Sequence, residues 1–153
     1  MKAVSKTETN IEAQIREYCA YIQAWNASYE EYAKSVGLSF TSLSILSALF
    51  STENCTQKML CERCFLPKQT VNAVVTSFYK KGWVTLRELP EDRRNKTIHF
   101  TEAGYAEAER IMRRVRESEQ AAMRCMSAED REALLRTTKQ YILSCKNAMM
   151  GSE

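Results

Sequence analysis

The chain has 153 residues, 44% of them hydrophobic and 27% charged, with a formal net charge of +3. That length suits one modest domain, or one domain with an appendage, and the balance of apolar and charged residues excludes a disordered or membrane-embedded chain. No stretch reaches the roughly 18 consecutive apolar residues of a spanning helix, and the opening MKAVSKTETNIEAQ lacks the apolar core of a secretion signal, so a cytoplasmic protein with no membrane partner is expected.

Four Gly and two Pro predict few loops and much helix. Thr9 to Val36 reads as one long helix, because Ile11, Ile15, Tyr18, Ile22, Trp25, Tyr29, Tyr32 and Val36 alternate in steps of four and three. Gly37 caps its end. Ser39 or Thr41 caps a second helix with the face Leu43, Ile45, Leu46, Leu49 and Phe50. After a polar loop, a short helix spans Gln57 to Cys64. Pro67 is expected in the first turn of a fourth helix that buries Val71, Val74, Val75 and Phe78 and stops at Gly82. Residues 83–86 and 97–100 are β-branched and aromatic and predict a hairpin with ten residues between its strands. Thr101 caps a long helix carrying Tyr105, Ala108, Ile111, Met112 and Val115 on one side. Ser127 and Asp130 form a capping box for a last helix, whose stripe includes Leu134, Leu135, Ile142 and Met149.

Charge is unevenly spread. Residues 56–100 hold nine Lys or Arg against four Asp or Glu, whereas the terminal segments are slightly acidic or balanced. A short helix, a turn, a second helix and a basic hairpin in that order fit a winged helix-turn-helix over residues 38–100. Residues 1–37 and 101–153 then form a helical dimerisation region. The fold class is mainly α with a small β-hairpin wing. On the fourth helix Lys68, Gln69, Thr70, Asn72 and Thr76 point away from the apolar back. Gln and Asn can pair bidentately with adenine, and Lys can reach guanine or phosphate. In the wing Arg93, Arg94 and Lys96 supply cations for a phosphate backbone. The expected partners are double-stranded DNA and a second copy of the chain, the long flanking stripes being too extensive for the middle segment to cover. An internal three-helix bundle is the alternative.

The motifs Phe78-Tyr-Lys-Lys-Gly82-Trp83-Val84, Asp92-Arg93-Arg94 and Phe100-Thr101-Glu-Ala-Gly104 resemble those of the MarR (multiple antibiotic resistance regulator) family over nearly the whole chain. The resemblance implies a homodimeric transcriptional regulator, a repressor rather than an activator, bound to a roughly palindromic operator. Asp92 would brace the wing and Arg94 would enter the minor groove. A small-molecule, metal or oxidant signal would release the DNA, and Trp25, Tyr29 and Met112 could line an effector pocket. The chain departs from the family pattern at Pro67, where Ser often caps the recognition helix, at Ala73, where Arg is common, and at Thr76-Ser77 in place of Asp-Arg. These departures bear on which DNA sequence is read. A winged helix that has lost DNA binding and docks a protein partner is the rival reading.

Six cysteines invite redox or metal chemistry. Cys61-Glu-Arg-Cys64 spells C-x-x-C, but no strand precedes it as a thiol oxidoreductase would require. A zinc site needs four ligands, and Cys55 could add only a third. Cys61 and Cys64 are therefore sensor thiols or small apolar core residues. Cys19, between Tyr18 and Tyr21, invites comparison with peroxide-sensing relatives, though Ile15 occupies the equivalent place. His99 is a wing-strand residue. No catalytic constellation, resident metal or cofactor is expected.

Overall fold

The computed structural model describes residues 6–89 and 92–151, and the side chains of residues 10–88 and 96–151. In chain order the elements are α1 (Lys6–Ser35), α2 (Phe40–Phe50), α3 (Gln57–Cys64), α4 (Lys68–Lys80), β1 (Val84–Leu89), β2 (Asp92–Phe100), α5 (Glu102–Arg124) and α6 (Ala128–Met150). The chain divides into two compact units, Met1–Glu109 and Arg110–Glu153, with α5 running across the division.

In the first unit α1 closes through a bond from the Leu38 N–H to the Ala33 carbonyl at 2.9 Å. Ser39, rather than Thr41, caps α2, its hydroxyl accepting from the Ser42 N–H at 3.0 Å. Helix α2 packs on α1, α3 and α4. The core is built from Leu43, Ile45, Leu46 and Leu49 of α2, Leu60 of α3, Val71, Val75 and Phe78 of α4, and Val84 and Ile98 of the hairpin, all at most 3% exposed. Burying one such large side chain stabilises a fold by about 1.5–3 kcal/mol, so these positions dominate the packing energy. Val74, expected in the core, is only half-buried, because the face anchored by Val71, Val75 and Phe78 turns away from it.

Two expectations need correction. The hairpin strands run to Leu89 and from Asp92, well beyond the anticipated 86 and 97. Antiparallel pairing continues from Val84↔Phe100 to Glu88↔Lys96 and shifts register between Glu88 and Leu89. Cross-strand pairing carries polar residues of low β-propensity into the ladder. A third piece of chain joins it, with Thr56 bridging to Thr97 and the Ile98 N–H donating to the Cys55 carbonyl at 2.8 Å. Pro67 is the N-cap of α4 rather than a residue of its first turn, with φ −61° and ψ 147° and no side-chain cap bond.

In the second unit Ser127 caps α6. Its oxygen accepts from the Asp130 N–H at 3.0 Å, and its hydroxyl donates to the Asp130 carboxylate at 2.6 Å. Arg131 donates to the carbonyls of Met123 and Met126 at 3.2 and 2.7 Å, tying the start of α6 to the end of α5. Ile111, Met112 and Val115 of α5 are buried, but no residue of α6 is. Among the described residues no single helix is long and apolar enough to cross a membrane; α1 from Asn10 and α2 would pass only together, bent by 87°.

Candidate nucleic-acid interface

Helix α4 is held at both ends by local chemistry. At its start the chain leaves α3 through a left-handed residue, Phe65, and enters α4 at Pro67. At its end Gly82, with φ +71°, allows the Trp83 N–H to reach back to the Phe78 carbonyl at 2.9 Å. Trp83 then stacks on Phe78 with centroids 5.4 Å apart, and the Lys81 ammonium lies 4.8 Å over the Trp83 ring.

The same corner explains the Thr101-x-x-Gly104 motif. The Thr101 hydroxyl donates to the Gly82 carbonyl at 2.7 Å and accepts from the Gly104 N–H at 2.9 Å. The Thr101 N–H donates to the Trp83 carbonyl at 3.0 Å. A side chain at residue 104 would put its Cβ well inside van der Waals contact with the Trp83 backbone. One hydroxyl and one missing Cβ thus join the end of α4, the start of β1 and the start of α5. Phe50, Phe100 and Tyr105 pack beside this corner, with centroids 5.4–6.3 Å apart.

With its back anchored, α4 presents Lys68, Gln69, Asn72 and Thr76 to solvent, while Thr70 is half-buried. Asn72 is not wholly free to read a base edge, since its Oδ1 accepts from Gln57 Nε2 at 3.3 Å. Ala73, which departs from the family pattern, is exposed on the same helix. Lys96 is exposed on β2 and pairs with Glu88 across the hairpin at 3.7 Å. The side chains of Asp92, Arg93 and Arg94 lie outside the described residues, so the bracing and minor-groove roles expected for them have no geometry here.

Between α3, the start of α4 and the hairpin lies a groove of about 500 Å³, lined by Gln57, Lys58, Cys61, Glu62, Lys68, Leu86 and Lys96. Lys58 pairs loosely with Glu62 at 3.9 Å. The groove therefore carries an excess of cations. Sequence reasoning passed over half-buried Gln57 and exposed Lys58; their polar side chains in the first turn of α3, before buried Leu60, were the available signal. It also passed over Arg63, whose guanidinium donates to the Thr52 hydroxyl and, at 3.5 Å, to the Ser51 hydroxyl, joining α3 to the end of α2.

The cysteines are dispersed in their surroundings. Cys61 is half-buried at the groove, whereas the Cys64 thiol faces inward and donates to the Ser44 carbonyl at 3.8 Å. Burial pushes the Cys64 thiol above its ordinary value, with the Arg63 guanidinium pulling partly back and Cys61 adding to the rise. Burial likewise raises Cys55, again opposed by Arg63. These are conditions for protonated thiols rather than reactive thiolates. Cys19 is exposed on α1. Among the described residues no group of His, Cys, Asp or Glu is arranged to hold a metal ion. His99 Nε2 sits 2.8 Å from the Thr97 hydroxyl, within the hairpin. Trp25 and Tyr29 meet edge to face at 5.2 Å, with Phe40 a further 6.4 Å from Tyr29; Met112, in the other unit, is buried.

This architecture has known counterparts. The chain is 34% identical over 76 residues to the HTH-type transcriptional regulator SarZ of Staphylococcus epidermidis, a match covering 50% of this chain and 51% of SarZ. The chain thus spans about half the length of the curated relatives it matches. A MarR family regulator from Neisseria meningitidis has the same fold, with a TM-score of 0.78 at 20% identity, covering 92% of this chain and 99% of that one. S. aureus MepR, solved in complex with DNA, is similar with a TM-score of 0.70 at 17% identity, covering 83% and 97%. The MarR family pattern itself matches residues 36–95, the segment that holds α2, α3, α4 and most of the hairpin. Residues 36–95 thus match the MarR family pattern, and the chain shares the winged-helix fold of solved MarR family regulators.

Proposed function

We propose that the protein is a homodimeric, DNA-binding transcriptional regulator that represses a nearby gene or operon, and that it is not an enzyme. The observation that carries this reading is α4. Its apolar face is fully buried while Lys68, Gln69, Asn72 and Thr76 stand exposed on the other side, beside a hairpin bearing Lys96. A helix so anchored can lay its polar face in a major groove, with the wing along the flanking backbone. The similarity to MepR, solved with DNA bound, supports the same use of the fold.

A second copy is required to place two such helices on a palindromic operator. The exposed apolar residues Ile11, Ile15, Ile22 and Trp25 of α1, and Leu134, Leu135, Ile142 and Leu143 of α6, are the surfaces it would cover. Residues 38–100 then form the DNA-reading part, with the helices before and after them serving dimerisation. Release by a small molecule, metal or oxidant remains part of the reading. Trp25, Tyr29 and Met112 are its candidate effector contacts, and Cys61, Cys64 and Cys19 its candidate thiols. A cytoplasmic location follows from the same role.

A mobility-shift titration with the DNA upstream of the protein's own gene, at two salt concentrations, tests the reading. Binding at low salt that weakens steeply as salt rises is expected, as phosphate contacts release counterions. No binding at low salt overturns it. Replacing Arg94 by Ala is expected to cost about 1–3 kcal/mol of binding if that residue meets a base edge; unchanged affinity would remove it from the interface.

A further inference from the structure

The residue that links α3 to α4 is out of place by two separate physical measures. Phe65 caps α3 in the left-handed conformation, with φ 54° and ψ 40°. Both its own N–H and that of Leu66 donate to the Cys61 carbonyl, the latter at 3.1 Å, so the cap itself demands this backbone. Glycine or asparagine meets that demand without strain, whereas a bulky side chain does not. Its ring also gains nothing from burial, because Phe65 is 92% exposed, the highest of any large apolar residue among those described. Strain and exposure together mark a side chain kept for what it touches outside the fold.

Its surroundings say what that is. Phe65 lies three residues before Lys68, the first residue of α4, at the end of the helix that enters the major groove in helix-turn-helix docking. No acidic residue occurs between Glu62 and Glu88, a stretch that holds Arg63, Lys68, Lys80, Lys81 and Arg87. Glu62, one turn before Phe65 on α3, pairs loosely with Lys58 at 3.9 Å, so this part of the chain keeps more cations than carboxylates and is suited to a polyanion. The thymine C5-methyl group is the apolar feature that base edges present in a major groove, and phenylalanine is among the side chains that pack on it.

We propose that Phe65 is a DNA-contact residue that packs against a thymine methyl group in each half-site and so helps determine which operator is read. The proposal rests on the DNA-binding reading above and adds a residue and a base to it.

The test uses the full chain and the duplex that the wild-type protein itself selects from a random-sequence library. Affinities are measured by fluorescence anisotropy for wild type and Phe65→Gly. They are repeated on duplexes in which each half-site thymine is replaced in turn by deoxyuridine, which lacks only the methyl. Phe65→Gly is expected to unfold at a higher temperature, bind about fourfold more weakly per half-site, and keep the wild-type salt dependence, since no charge is lost. One deoxyuridine position should weaken wild type by about the same factor and leave the variant unaffected. Phe65→Asn, which also tolerates the left-handed cap, should reproduce the result.

Wild-type affinity in both variants overturns the proposal, as does an equal response of wild type and variant to every deoxyuridine. A change of sedimentation coefficient in the variants also overturns it, by assigning Phe65 to a contact between copies. If the wild type selects no duplex at low salt, the DNA-binding reading fails first. Selection by wild type with no effect at Phe65 removes this residue alone.

Discussion

Helices α4 and α6 both carry an apolar stripe at helical spacing, and they end in opposite states. Val71, Val75 and Phe78 of α4 are at most 1% exposed, while Leu135 and Ile142 of α6 are 64% and 56% exposed. The pattern of each is a demand for a partner. Helix α4 meets that demand within its own unit, against α2, α3 and β1. Helix α6 leaves it open, and α1 does the same at Ile11, Ile15 and Trp25. The middle of the chain covers its own apolar face, whereas α1 and α6 leave theirs exposed.

The sharpest way to break the self-contained region is at its tightest backbone approach. Gly104→Ala should lower unfolding free energy by about 3 kcal/mol, because the new methyl group meets the Trp83 backbone rather than a movable side chain. A urea titration would read this as a lower midpoint; an unchanged midpoint would mean that the corner is looser than its hydrogen bonds suggest.

The open stripe should respond differently. Ile142→Asp is expected to weaken self-association on the order of 100-fold, as an unpaired charge enters a buried interface, while leaving the secondary structure intact. Sedimentation velocity over a range of concentrations checks this, and a wild type that is monomeric throughout would end the contrast between the two helices. The smallest effect belongs to Thr101→Ala, which removes the hydroxyl shared by the Gly82 carbonyl and the Gly104 N–H. It should cost about 1 kcal/mol by the same urea titration, with DNA affinity little changed.

Much of the local structure was legible in advance because its causes are local. Ser39, Thr101 and Ser127 are polar residues just before apolar periodic runs, and each accepts a bond from a backbone N–H of the first turn, as does Thr56, for which no cap was expected. Gly82 follows the last periodic residue of α4 and takes the left-handed conformation such an end requires. The hairpin was legible only in its inner half. Its outer half is charged and polar, and strand geometry there comes from pairing with the opposite strand, as between Glu88 and Lys96. The proposed interface was read from the sequence as a set of polar residue types on one helix, most of which the structure leaves exposed. The bond between Gln57 and Asn72 and the groove shared by Lys58, Lys68 and Lys96 were not, since each joins residues from separate elements.

By itself, then, the sequence determined the order of helices, their caps and stops, the basic middle segment and the family motifs. Each of these depends on spacing within a turn or two of chain. Only the tertiary structure decided which stripes are satisfied, how far the hairpin extends, and that Phe65 stands in solvent on a strained cap. Burial and pairing are properties of surfaces brought together from distant positions, and periodicity specifies a face without specifying what covers it.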